Sequence, residues 1–466
     1  MTDYRKASPE VIQKLQSLLG PDRVLADPDA LSLYGKDETE DYVFPPDVIV
    51  KPATAQEIAE IMRIATASGV PVTPRGGGTG LSGGALPIHG GICLSMERFD
   101  KILSIDPQNF QAEVEPGVTT QRLQEEVEKL GLFYPPDPSS RGTSHLGGNL
   151  SENAGGPRAV KYGVTRDYIL ALEAVLPSGE IIRTGAGVLK NSTGYNLTQL
   201  LVGSEGTLAV ITKIRMKLIP LPHHRRLVLV PFDSLESAAS AVAAIFQRGI
   251  TPSALEFMER AAVKAAEAKL SKSWPNGDAG AQLLIEVDGN NEDLLMDQLG
   301  TVAEVVEQFG ATDVVLADDP VKVADIWALR RSIGEAVKSI SAYKEEDTVV
   351  PRAELPKLVK GVKEICGRFG ITAICYGHAG DGNCHVNILK GNLTDDAWNR
   401  QLDDAIREIF RLTVELGGTI SGEHGIGYSQ RNYLPLAIGE TERRLMAAIK
   451  KTFDPAGILN PGKILL

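Results

Sequence analysis

Two short motifs hold three of the seven histidines of the chain: Gly377-His378-Ala379-Gly380-Asp381-Gly382-Asn383-Cys384-His385-Val386-Asn387 and Ser421-Gly422-Glu423-His424-Gly425-Ile426-Gly427. ITAICYGH reads as a strand, AGDGN as a turn and CHVNIL as a second strand, so His378 and His385 flank a hairpin. His385 and Asn387 are two apart and share one strand face, whereas Cys384 points to the other. A single histidine is more often a hydrogen-bonded turn or core residue than a ligand. Two imidazoles with a carboxylate, here Glu423, are a usual ligand set for a catalytic divalent metal with open positions, and Zn2+, Mn2+ or Fe2+ would accept it. His89, His145, His223 and His224 lack comparable surroundings and are expected to be structural.

A third segment, Ile326-Trp327-Ala328-Leu329-Arg330-Arg331, lies within a helix predicted over 319–342, and Tyr343-Lys344-Glu345-Glu346-Asp347 leads into a strand. Glycine-rich loops make the other chemistry. Pro74-Arg75-Gly76-Gly77-Gly78-Thr79-Gly80-Leu81-Ser82-Gly83-Gly84 packs six glycines into eleven positions, which lets backbone N–H groups converge as a diphosphate nest. Gly78 to Gly83 also fits G-x-G-x-x-G after a strand. A dinucleotide fold of that type needs a helix to follow, and Gly84-Ala85-Leu86-Pro87-Ile88-His89-Gly90-Gly91 cannot open one. One such loop alone is as readily a set of tight turns. Two further segments, Gly147 to Gly156 after Pro135-Pro136-Asp137-Pro138-Ser139-Ser140 and Gly203-Ser204-Glu205-Gly206-Thr207, favour a large dinucleotide.

The elements around these loops set the domain plan. Helical spacing at 9–18 and 54–68 with short buried strands at 48–50 and 70–73 gives an α/β opening. From 71 to 215 short strands alternate with glycine, with helices near 119–130 and 194–202. After Pro220-Leu221-Pro222 glycine thins out, and strand RLVLVPF, helix 234–247, strands ALEFM and QLLIEVDG, helix 292–309 and strand TDVVLAD follow. That β-α-β-β-α-β order predicts a split βαβ sheet covered by helices, extended by the elements from 319 to 424. The expected domains are 1–221 and 222–455, with 456–466 returning to the first.

At 466 residues, 43% apolar and 23% charged, the chain suits two or three globular units. With 60 acidic against 48 basic residues, a net charge of −12 and no long Lys/Arg block, the composition argues against a nucleic-acid or anionic-membrane surface, and no nucleic-acid partner is expected. An anionic substrate must then meet local cations, and arginine offers a carboxylate a bidentate fork. Most helix arginines lie on solvated faces, as Arg331 is expected to. The N-terminus carries no apolar h-region and no stretch is long enough to span a bilayer, so a cytoplasmic location with no transmembrane segment is expected. Cys93, Cys366, Cys375 and Cys384 have no framework spacing and no C-x2-C-x2-C run, so reduced thiols and no iron–sulfur cluster are expected.

In order, PRGGGTGLSGG, PPDPSS, GGNLSENAGG and GSEGTLAVIT resemble the FAD-binding half of the vanillyl-alcohol oxidase and p-cresol methylhydroxylase (PCMH) superfamily. The resemblance implies that Arg75, Gly76, Gly77, Gly78, Thr79 and Gly80 wrap the FAD pyrophosphate. Asp137, Ser140, Gly148, Asn149, Asn153, Ala154, Gly206, Val210 and Asn460 are implied to line the rest of the cofactor. Some members attach the flavin through a histidine in the first loop. This chain has Gly78-Thr79 there, so non-covalent FAD is expected. GHAGDGNCHVN, SGEHGIG and the terminal FDPAGILNPGK resemble the C-terminal domain of FAD-linked oxidases, the family of D-lactate and D-2-hydroxyglutarate dehydrogenases and the glycolate oxidase flavin subunit.

The fold class implied is α+β, a two-domain flavoprotein with a PCMH-type FAD domain and a ferredoxin-like second domain. By family position His378, His385 and Glu423 bind the metal, with Zn2+ first among the candidates. His424 acts as base, and Arg330 binds the substrate carboxylate with help from Lys344 and Asn387. The expected reaction is oxidation of a small D-2-hydroxy acid, such as D-lactate or glycolate, to the 2-oxo acid. Electrons then need an external acceptor: a quinone, a cytochrome, an electron-transfer flavoprotein or an iron–sulfur subunit. Assembly is open, a homodimer included. The alternatives are a flavoprotein of the same fold with another substrate, and a silent electron-transfer subunit.

Overall fold

Capping side chains start the helices that the apolar spacing foretells. Ser8 accepts from Val11 N to start Pro9–Leu19, and Thr54 accepts from Glu57 N to start Ala55–Ser68, which Gly69 ends at φ 66°. The computed structural model describes residues 4–40 and 42–465. Contacts divide the chain into two compact units. The first runs to Gly155, resumes at Val164–Leu221 and takes up the chain again from Glu423; the second comprises Gly156–Gly163 and Pro222–Gly422. Residues 423–455, assigned to the second domain from the sequence, group with the first unit.

In the first unit a four-stranded sheet runs in the order Val24–Leu25, Val48–Val50, Ile92–Ser95, Val72–Arg75, with the last three parallel. The glycine-rich loop is therefore the connection between two adjacent parallel strands, and the chain reaches Ile92 without a helix. The C-terminal segment closes this sheet: Val72 N donates to Ile458 O at 2.8 Å and Asn460 N to Val72 O at 2.7 Å. Ile458 and Leu459 are buried among Ile58, Met62, Val72 and Leu94. A second, five-stranded antiparallel sheet has the order Ile102–Asp106, Gln111–Val114, Val210–Lys217, Ile169–Val175, Ile181–Gly185.

The segment GGNLSENAGG is not a loop throughout, as expected, because Leu146–Glu152 is a helix. Its Gly147 is there for close approach, since a Cβ would strike the Pro116 side chain. Asn153, at φ 58°, ends it in the left-handed conformation.

In the second unit seven strands form one antiparallel sheet in the order Val315–Ala317, His224–Phe232, Ala281–Gly289, Ala254–Glu259, Thr372–His378, Asn383–Leu389, Tyr343–Val349. The β-α-β-β-α-β reading missed the helix Arg260–Leu270 between two of these strands. Its alanine-rich sequence, RAAVKAAEAKL, gives it a narrow apolar stripe of Ala262, Val263 and Ala266. That helix and Pro320–Lys338 cover one sheet face, packing Ala262, Ile326, Leu329 and Ile333 on Ala254, Met258, Ile374 and Tyr376. Both histidines of the hairpin, Glu256 and Asn387 belong to this face.

Candidate active site

The hairpin forms as read from the sequence, with Thr372–His378 and Asn383–Leu389 paired antiparallel, and Tyr376 opposite His385. His378 and His385 are both buried, with ring centroids 5.2 Å apart in an edge-to-face arrangement. Glu256, on the neighbouring strand, is fully buried and sets the chemistry of His378. Its two oxygens lie 2.8 and 2.9 Å from Nδ1, which makes that nitrogen the donor and leaves Nε2 a lone pair. The same carboxylate lies 2.5 Å from Nη2 of Arg330. Burial opposes charge on Glu256, but the His378 N–H and the Arg330 guanidinium outweigh it and hold the carboxyl below its ordinary value. Glu256 escaped the sequence reading because an acid within ALEFME gives no signal until its partners, more than 70 residues away, are folded around it.

Arg330 is 4% exposed, on the buried stripe of its helix with Trp327 and Ile333, and its guanidinium lies 5.2 Å above the Tyr376 ring. Its Nε has no hydrogen-bond partner. Arg331, expected on a solvated face, is half-buried with its guanidinium over the Trp327 ring at 5.0 Å. Asn387 is fully buried, and neither its Nδ2 nor its Oδ1 meets hydrogen-bond geometry with protein, although Tyr376 lies close by. An amide and a guanidinium nitrogen left over on one buried face are what a polar ligand would satisfy. Lys344 does not join them. It pairs across the ladder with Ile388, so strand alternation turns it to the face opposite Glu345, His385 and Asn387.

Asp347 is a second buried carboxylate the sequence did not single out. It stands opposite His385 on the ladder, 3.5 Å from its Nδ1, and accepts from Asn383 Nδ2 at 2.7 Å and Gly422 N at 2.8 Å. The residue after Gly422 is Glu423. Each imidazole thus has a carboxylate on its Nδ1 side, a donor set suited to neutral Nε2 ligation of a divalent ion.

In the first unit, the 75–80 loop fits a diphosphate. Arg75 Nη1 is buried without a protein partner, and a Cβ at Gly80 or Gly148 would meet open space. Gly78, at φ 71°, must lack a Cβ because the Arg75 guanidinium folds over it. His145, which the sequence gave no role, lies here: its Cβ is 3.4 Å from where a Cβ of Gly76 would stand. Its Nδ1 is buried without a partner, and burial lowers its pKa. Other residues expected to line FAD have structural engagements. Asn149 donates to Thr120 Oγ1 at 2.5 Å, Asn153 Oδ1 accepts from Arg166 N at 2.9 Å, and Asn460 donates to Gly84 O and Glu205 O. Asp137 and Val210 are buried, Ser140 and Ala154 half-buried, and Gly206 turns at φ 63°. Glu423 and His424 begin a tight turn, and both following glycines are left-handed, Gly425 at φ 82° and Gly427 at φ 50°.

One unit carries a glycine-rich loop suited to a diphosphate and the other a buried imidazole pair, and comparison with known proteins gives the class, a two-domain flavoprotein oxidoreductase. Residues 46–185 match the FAD binding domain family, and residues 221–464 match the FAD linked oxidases, C-terminal domain. The chain belongs to the FAD-linked oxidase family. It is 38% identical to D-lactate dehydrogenase of Anaerostipes hadrus, over 99% of this chain and 98% of that protein. It is also 38% identical to a glycolate oxidase subunit of Bacillus subtilis, over 98% and 96%. Identity to D-2-hydroxyglutarate dehydrogenase of Stutzerimonas stutzeri is 33%, over 98% and 99%. Crystalline p-cresol methylhydroxylase shares the fold with a TM-score of 0.81 at 19% identity, over 98% of this chain and 96% of that one. Among the described residues no helix is long and apolar enough to cross a membrane.

Proposed function

We propose that this chain oxidises a small D-2-hydroxy acid, of the size of D-lactate or glycolate, to the 2-oxo acid. The observation that carries this reading is the buried face of the second unit, where Arg330 and Asn387 offer unmatched polar atoms beside two imidazoles. Relatives named for D-lactate, glycolate and D-2-hydroxyglutarate support the substrate class. His378, His385 and Glu423 would hold a divalent ion, Zn2+ by preference, and the 75–80 loop with Arg75 would hold FAD without a covalent bond, since residues 74–84 include no histidine. When bound, the flavin supplies the two-electron acceptor and the ion a Lewis acid that acidifies a hydroxyl.

The chain's own residues do the rest. Arg330 binds the substrate carboxylate through its fork, held in orientation by Glu256 on one side and Tyr376 beneath. Asn387 supplies an amide to the same substrate. Glu256 keeps His378 in the tautomer that leaves Nε2 unprotonated, and the Asp347 carboxylate stands 3.5 Å from Nδ1 of His385. His424 takes the hydroxyl proton as general base. Electrons leave to an external acceptor, and the location we propose is the cytoplasm.

The test is anaerobic mixing of the purified flavoprotein with D-lactate, glycolate, D-2-hydroxyglutarate and L-lactate, following flavin absorbance, with metal analysis of the same sample. Bleaching by a D-hydroxy acid that stops after chelation and returns with Zn2+ is expected. Bleaching at an unchanged rate in metal-free protein would remove the metal from the reading.

A further inference from the structure

The turn that carries His424 is held by a carboxylate remote in sequence. Glu205 Oε1 accepts from Ile426 N at 2.8 Å and Oε2 from Gly427 N at 2.6 Å, so one side chain takes two successive backbone donors. Glu205 is itself rigidly held. It is 6% exposed, its N donates to Ser151 O, and its O accepts from Asn460 Nδ2. At φ 51° it also has a conformation a non-glycine residue rarely takes, so the surrounding bonds keep it there against its own preference.

The other side of the turn is equally confined. Ser82 O accepts from Tyr428 N and Ser429 N, at 2.8 and 3.0 Å, and Ile464 N donates to Gly427 O at 2.9 Å. A Cβ on Gly425 would collide with the carboxylates of Glu152 and Glu205, and one on Gly427 with Ser82 O. Both glycines of His-Gly-Ile-Gly are therefore demanded by the closeness of the clamp as well as by their φ. Only Gly425 separates His424 from the first clamped amide, that of Ile426.

We propose that Glu205 is a positioning residue for the reaction, fixing the backbone after His424 so that its imidazole is presented in one orientation. The role rests on the reading of His424 as base. Glutamine at 205 would keep one acceptor and turn an amide donor toward Gly427 N–H, opening the clamp. Aspartate would keep both oxygens one methylene short.

The experiment combines hydrogen exchange with kinetics on the FAD-loaded protein. In Glu205→Gln, amides in peptides covering 423–430 should exchange at least about tenfold faster, while peptides elsewhere keep their rates. With D-lactate as substrate, kcat should fall by about 10- to 100-fold with KM within about threefold and FAD content unchanged, as expected for a misoriented base. Glu205→Asp should recover part of both. Unchanged exchange in 423–430, or a kcat within about a factor of two, overturns the proposal. Should Glu205→Gln fail to fold or to retain FAD, Glu205→Asp decides by the same two readings. His424→Ala measured alongside separates the two ideas: full flavin reduction without His424 sinks the base reading, while the exchange data still judge the clamp.

Discussion

Both oxygens of Glu256 lie within 2.9 Å of Nδ1 of His378, and the same carboxylate reaches Nη2 of Arg330 at 2.5 Å. One buried acid thus serves both the imidazole assigned to the metal and the guanidinium assigned to the substrate. Replacing it by glutamine removes the charge that fixes the His378 tautomer. Affinity for Zn2+ is expected to drop by about 10- to 100-fold, measured by competition with a chromogenic chelator.

The pair also makes a stability prediction. Arg330→Met leaves Glu256 buried with its charge only partly compensated, which should cost about 3–5 kcal/mol in denaturant unfolding. Adding Glu256→Gln to that variant should restore much of the loss, because the stranded charge is gone. Equal instability of single and double variants would show that packing, not charge, sets the cost.

Lys344 faces away from His385 and Asn387. Lys344→Ala should therefore leave KM for D-lactate within about a factor of two, whereas Arg330→Lys, which loses the fork, should raise it by about tenfold or more. Steady-state kinetics on the two variants decides.

Two left-handed glycines separate backbone strain from collision. Gly131, at φ 70° with open space where a Cβ would stand, should tolerate alanine at a cost of about 1 kcal/mol. Gly425→Ala adds the collision with Glu152 and Glu205 and should cost about 1–3 kcal/mol more. Thermal melting of the two variants gives the comparison.

The buried acids beside that turn predict an unusual pH dependence. Burial raises the Glu205 carboxyl to about 7, although Ile426 N–H, Gly427 N–H and Lys463 pull it down, and burial with the Glu205 and Asp37 charges raises Glu152 well above its ordinary value. Between 4.5, where an unfolded glutamate releases its proton, and about 7, the folded protein holds more protons than the unfolded chain. This contribution is therefore full below 4.5 and is lost as pH rises toward 7. Lys463, lowered to about 7 by burial, acts in the window above, where stability rises with pH. Glu205→Gln should flatten the fall between about pH 5 and pH 7, read from urea unfolding at each pH.

The hairpin was legible because strand alternation and a Gly-Asp-Gly-Asn turn are local, and so was the helix bearing Arg330. The glycine loops were legible for the same reason: a backbone nest is written in the residues that form it. GGNLSE was misread because its first glycine, Gly147, serves packing against Pro116, a demand set outside the segment.

What the sequence determined by itself was most of the order of elements, the FAD-linked oxidase family and the histidine motifs, all of which depend on neighbours along the chain. Only the tertiary structure decided that Glu256, Asp347 and Glu205 are the acids that hold those motifs, that Lys344 faces the wrong way and that His145 lines the glycine loop. The physical reason is that a buried charge is tolerable only where partners compensate it. For these acids the partners, His378, Gly422 and the 426–427 backbone among them, come from segments that folding alone brings within hydrogen-bond reach.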